Sequence, residues 1–171
     1  ACTGRSTSQV NVETTLAQAI MPGGANPLLS ADGVEFHHVN HHGSESSTNS
    51  DLMNLLTPSV AAISVGSGQG GTWHHPRMDV VEQVLHAQAS CVTAPPAVVY
   101  QTEEGSPTGS STSFAGFAVG DIIVTTNGVG TFTVDATGAV TQGPNETAAA
   151  GLPAVYNLDS GSSGGPSTVV F

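Results

Sequence analysis

The sequence predicts an α/β fold with a mixed sheet flanked by helices and a β-hairpin toward the C-terminus. Three observations predict it. Val60 to Val65 reads V-A-A-I-S-V, an unbroken apolar run of strand length of the kind found in parallel strands buried on both faces. Segments of helical character stand on either side of that run. After Pro95 and Pro96 the chain turns to Val, Ile and Thr, and Asn127-Gly128 between two such runs is a strong short-range hairpin signal.

In chain order, Ala1 to Ser8 reads as a glycine-and-hydroxyl loop following a strand that these residues do not include. Val12 to Ile20 is a helix with Val12, Leu16, Ala19 and Ile20 on its inner face and Glu13 in the first turn, where a carboxylate complements the helix dipole. Pro22, Gly23 and Gly24 stop it. Val34 to Val39 is a short buried strand, after which Gly43 permits a sharp turn. Thr48 caps a helix over Asn49 to Leu56, with Asp51 in the reciprocal capping-box position. Gly66 to Thr72 is rich in glycine but has no lysine, so it is not a P-loop. Trp73 to Pro76 opens a helix running to about Ala89, with Met78, Val81, Val84 and Leu85 inward. Strands follow at Ala97 to Thr102, Gly120 to Thr126 and Thr131 to Val134, with an exposed loop over Glu103 to Ala118. Residues 1–142 thus make one domain, and 143–171 reads as a Gly/Ser/Pro-rich tail or linker.

Composition excludes several roles. Thirteen acids against two arginines and no lysine give a net charge of −11 over 171 residues, so there is no basic surface to bind nucleic acid by charge. No stretch is apolar and long enough to span a membrane. Sparse charge with abundant Gly, Ser, Thr, Ala and Val suits a secreted, extracellular protein. Cys2 and Cys91 are the only cysteines. They are read as one disulfide in an oxidising compartment, against the alternative of two unrelated buried thiols.

Chemistry concentrates between His37 and Thr48, H-H-V-N-H-H-G-S-E-S-S-T, where four of the seven histidines fall within six positions. Imidazole is the commonest zinc ligand, and strand ends at the C-terminal mouth of an open α/β sheet are where ligands gather. Adjacent histidines on a strand point to opposite faces, which reads His37 and His38 as structural and leaves His41 and His42 at the mouth. His74 and His75 add two more imidazoles at a helix N-terminus, the end that attracts anions.

The ordered motifs H-H-G-S-E-S-S-T, T-P-S-V-A-A-I-S-V-G, H-H-P, V-V-Y-Q-T-E and G-D-I-I-V-T-T-N-G resemble the C-terminal half of metallo-β-lactamase-fold hydrolases of the ComEC-like and secreted phosphodiesterase type. The resemblance covers roughly Ala1 to Val140. It implies half of an αββα sandwich and a zinc-dependent site for phosphodiester-like substrates. On that resemblance His42 is a metal ligand, His41 and His75 are catalytic, and Ser44, Ser47 and His74 line the substrate side. The family's H-x-H-x-D-H ligand cluster is absent, and Thr3-Gly4-Arg5-Ser6 stands where the family has a metal-bridging aspartate in T-G-G-D. The expectation is therefore a fragment or degenerate member with a weak or incomplete zinc site, inactive as this chain alone. A missing N-terminal half or another copy of the chain would be its partner, joined through an apolar sheet face left open. The alternative is a non-catalytic extracellular structural or binding protein that self-associates.

Overall fold

The computed structural model describes residues 10–29, 33–66, 74–105, 116–143, 151–158 and 167–171. These form two sheets and one helical layer. The first sheet has the order β1 (Phe36–His38), β2 (Val60–Ile63), β3 (Val98–Gln101), β4 (Phe117–Ala118) and β7 (Thr141–Gln142), parallel except for the antiparallel edge strand β7. The second is antiparallel, in the order β8 (Ala154–Asn157), β6 (Thr131–Ala136), β5 (Ile122–Thr126) and β9 (Ser167–Val170). The α/β class, the mixed sheet and the flanking helices agree with the sequence.

The apolar run at β2 is buried on both sides because alternate residues serve different cores. Ala61 and Ile63 pack with Leu52, Met53, Val81 and Leu85 beneath the helices α1 (Val12–Ile20), α2 (Ser50–Leu56) and the π-helical α3 (Val80–Leu85). Val60 and Ala62 face the second sheet, with Tyr100, Phe117, Ile122, Phe132 and Val134. The layers are helix, sheet, sheet. An open apolar face on the parallel sheet was expected; both of its faces are covered. The outer face of the antiparallel sheet carries Thr125, Thr133 and Asp135, with Val155 65% exposed.

Several boundaries differ from expectation. The α1 limits agree, but Val12 and Leu16 are about 60% exposed while Thr14 and Ala17 are buried. The helix packs closely on α2, and the Thr14 hydroxyl reaches Asn49 Oδ1 at 3.4 Å, so its small residues face inward. Helix α2 begins at Ser50, and its cap is Asn49, not Thr48: Asn49 Oδ1 accepts from Leu52 N–H at 3.1 Å. Residues 74–77 are not helical, since His74 has φ +43° and a residue before proline is disfavoured in the α region. Phe117 and Ala118, placed in a loop by the sequence, form buried β4. Residues 154–157 and 167–170, read as tail, are strands of the antiparallel sheet. The hairpin at Asn127-Gly128 is present. Asn127 Oδ1 accepts from the N–H groups of Val129, Gly130 and Thr131, and Gly128 takes φ +75°.

Candidate functional site

The histidines gather at the C-terminal mouth of β1 and β2. From β1 the chain passes through Val39 into a tight 3₁₀ turn, Asn40–Gly43. His41 (φ 50°, ψ 44°) and His42 (φ 54°, ψ 30°) are both left-handed there, a conformation that costs a residue bearing a Cβ. Two side-chain residues in succession in that region mark strain held by the surroundings. Gly43 completes the turn at φ +79°. A Cβ there would lie 2.7 Å from Pro76 Cβ, so the glycine is what admits the His74–Arg77 turn against this one. Arg77 N–H donates to the Gly43 carbonyl at 3.1 Å and locks the two turns together.

The result places His41 between its neighbours: its ring centroid is 5.2 Å from that of His75 and 6.4 Å from that of His42. His41 and His42 are exposed, whereas His75 is 9% exposed with Nδ1 buried and unpartnered. Burial holds the His75 pKa below the ordinary histidine value, helped by the positive charge that His41, His42, Arg77 and His74 would carry nearby. His42 Nδ1 lies against the Ser64 carbonyl and must be the donor, because a carbonyl only accepts. In the neutral ring Nε2 then carries the lone pair, the arrangement by which proteins orient a histidine toward a metal.

Ser44 and Ser47 are buried rather than open to a substrate. Ser44 Oγ pairs with Ser46 Oγ at 2.9 Å, and Ser47 Oγ donates to the Asn40 carbonyl at 3.1 Å, closing the loop after the histidines. His74 is half-buried in the adjoining turn. Cys91 lies in a turn beyond α3 and is not a free thiol; Cys2 lies outside the described residues.

His37 and His38 diverge as the strand pattern requires. His37 lines a cavity of about 140 Å³ with Glu13, Leu16, Ile20 and Leu52, and burial followed by the nearby His38 lowers its pKa to about 4. His38, read from sequence as structural, instead sits exposed at the mouth. Its Nε2 is 3.1 Å from Ser64 Oγ, and its ring lies 4.6 Å from that of Phe171. Ser64 and Phe171 were both missed. The only signal for Ser64 was a lone hydroxyl at the end of an apolar run.

Among the described residues no group of three or more His, Cys, Asp or Glu side chains is placed to hold a metal ion, and no helix is long and apolar enough to cross a membrane. No protein family matches the chain, and neither a curated protein nor a solved structure does.

Proposed function

We propose that the chain is a fragment or degenerate member of a secreted, zinc-dependent metallo-β-lactamase-fold hydrolase of the phosphodiesterase type, inactive by itself. The observation that carries this reading is the histidine cluster at the strand mouth, with His42 anchored through Nδ1 so that Nε2 is available to zinc. The α/β class, with a mixed sheet and flanking helices, is consistent with it. His42 fits the role of one ligand. A hydrolytic zinc needs about three protein ligands, and the described residues do not bring three His, Cys, Asp or Glu side chains together to hold one. Its N-terminal half, or another copy of the chain, is the partner this reading requires.

Isothermal titration with zinc, alongside bis(p-nitrophenyl) phosphate hydrolysis with added zinc or manganese, tests the reading. Weak zinc binding without turnover is the expected result. Robust turnover lost in His42→Ala would mean a complete ligand set and would end the degenerate reading. The second reading, a non-catalytic extracellular binding or structural protein, is favoured by the two serines whose hydroxyls are engaged in closing the loop. Absence of any zinc binding would select it.

A further inference from the structure

We propose that Ser64 and His38 form a nucleophile and base pair that accepts an acyl group from small aryl esters, independently of zinc. The pairing follows from sheet register. β1 and β2 are adjacent and parallel with His38 opposite Ala62, so Ser64, two residues further on, emerges beside the His38 ring. Ser64 Oγ and His38 Nε2 are 3.1 Å apart, within the reach that proton transfer from a serine requires.

Each partner is also held by a contact that leaves its reacting atom alone. The Ser64 carbonyl takes the hydrogen bond from His42, which fixes the backbone carrying the nucleophile. The Phe171 ring lies against the His38 ring, tilted by 34°, and limits its rotation. His38 is exposed and Ser64 half-buried, so the pair lies at the surface rather than inside the core. A bond between a strand-end serine and a histidine could serve structure alone. An exposed bond contributes little to stability, however, and both residues here carry additional restraints.

The chemistry balances without a metal or cofactor. With the proton of His38 on Nδ1, Nε2 removes the Ser64 hydroxyl proton as Oγ attacks the ester carbonyl. The tetrahedral adduct collapses, the aryl C–O bond breaks, and the phenolate departs, leaving acyl-Ser64. The proton on His38 passes to the phenolate or to water. A water molecule then attacks acyl-Ser64 with His38 as base, releasing the carboxylic acid and returning a proton to Oγ. Aryl esters are the fitting class because a phenolate leaves without a general acid.

The test uses p-nitrophenyl acetate with excess EDTA and the full chain. The expected result is a burst of nitrophenolate approaching one equivalent per chain, with an acetyl group mapped to Ser64 by peptide mass spectrometry. Ser64→Ala should lose the burst and the adduct, Ser64→Cys should keep a burst, and His38→Gln should slow acylation by about 100-fold or more. Circular dichroism confirms that each variant folds. If Ser64→Ala does not fold, the mapped adduct on the unaltered chain decides alone. Acetyl transfer found only on the exposed imidazoles, or a rate unchanged in Ser64→Ala, would overturn the proposal. Because EDTA is present throughout, that failure would leave the zinc reading untouched.

Discussion

His42 donates its Nδ1–H to the carbonyl oxygen of Ser64, joining the turn after β1 to the residue that follows β2. One bond therefore sets the tautomer of an exposed imidazole and holds two strand ends together at the mouth. The turn that carries it holds His41 and His42 in left-handed backbone conformations in succession. The strain is local, and the contacts that hold it are the Ser64 carbonyl, the Gly43 to Arg77 hydrogen bond and the close approach of Pro76.

That strain predicts a trade of stability against site geometry. His41→Gly removes the left-handed penalty of about 1 kcal/mol, offset in part by the greater unfolded-state freedom of glycine. His41 is exposed, so little packing is lost with it. Urea denaturation should show His41→Gly equal to or up to about 1 kcal/mol more stable than the parent chain. A loss above about 1 kcal/mol would mean that the imidazole contacts outweigh the strain.

The start of α2 offers a paired test. Asn49 is buried and caps the helix, so Asn49→Ala should destabilise by about 1 to 2 kcal/mol in thermal or urea unfolding. Thr48, immediately before it, is 1% exposed with a hydroxyl that has no partner. Thr48→Val keeps the shape and removes an unsatisfied polar atom, so it should be neutral or stabilising. If Thr48 were the cap, as the sequence suggested, the order of the two effects would reverse.

His37 should make stability fall with acid. Its folded pKa of about 4 lies below the ordinary value of 6.5, so the unfolded chain takes up the proton first as pH drops. The contribution is fully present above pH 6.5 and is lost as pH falls toward about 4, amounting to roughly 3 kcal/mol at most. Burial lowers His38 and His75 in the same direction. Urea midpoints measured from pH 7.5 to 4.5 should therefore decline steeply in the parent chain and less steeply in His37→Phe. Equal slopes would show that His37 is not held neutral by the fold.

What the sequence made legible was local. The V-A-A-I run announced a doubly buried strand because every residue in it is apolar, and the structure divides those residues between two cores. Asn127-Gly128 announced its hairpin because side-chain and backbone preferences coincide there. The inner face of α1 was misread because Val12 and Leu16 carry the hydrophobicity, whereas close packing on α2 favours Thr14 and Ala17. β8 and β9 were invisible because each is short and gains its hydrogen bonds from a strand distant in sequence. At the site, the crowding of four histidines between His37 and His42 was legible in the sequence, whereas the 5.2 Å approach of the His75 ring to that of His41 depends on how the Gly43 and Pro76 turns meet. The role of Ser64 was not legible, since it depends on the register between β1 and β2, and that register is a tertiary fact.

The zinc prediction rests on the same register. A lone imidazole, however well oriented, gives weak affinity, and tight or hydrolytic zinc needs about three protein ligands around an open position. Zinc titration of the chain should accordingly give a weak isotherm that sharpens as pH rises from 5.5 to 7.5, because the proton competes with the metal for imidazole nitrogen. His42→Ala should remove most of the binding, since it deletes the imidazole whose Nδ1–H is committed to the Ser64 carbonyl and whose Nε2 is left for a metal. Its stability cost should stay near 1 kcal/mol, the value of one partly exposed hydrogen bond, because His42 lies outside both cores. Ser64→Ala supplies the control. It keeps the carbonyl that orients His42 and removes only the hydroxyl, so zinc affinity should survive it. If Ser64→Ala abolished zinc binding while His42→Ala left it intact, the orienting bond would have no part in the site, and the ligand would have to be sought among His38, His41 and His75.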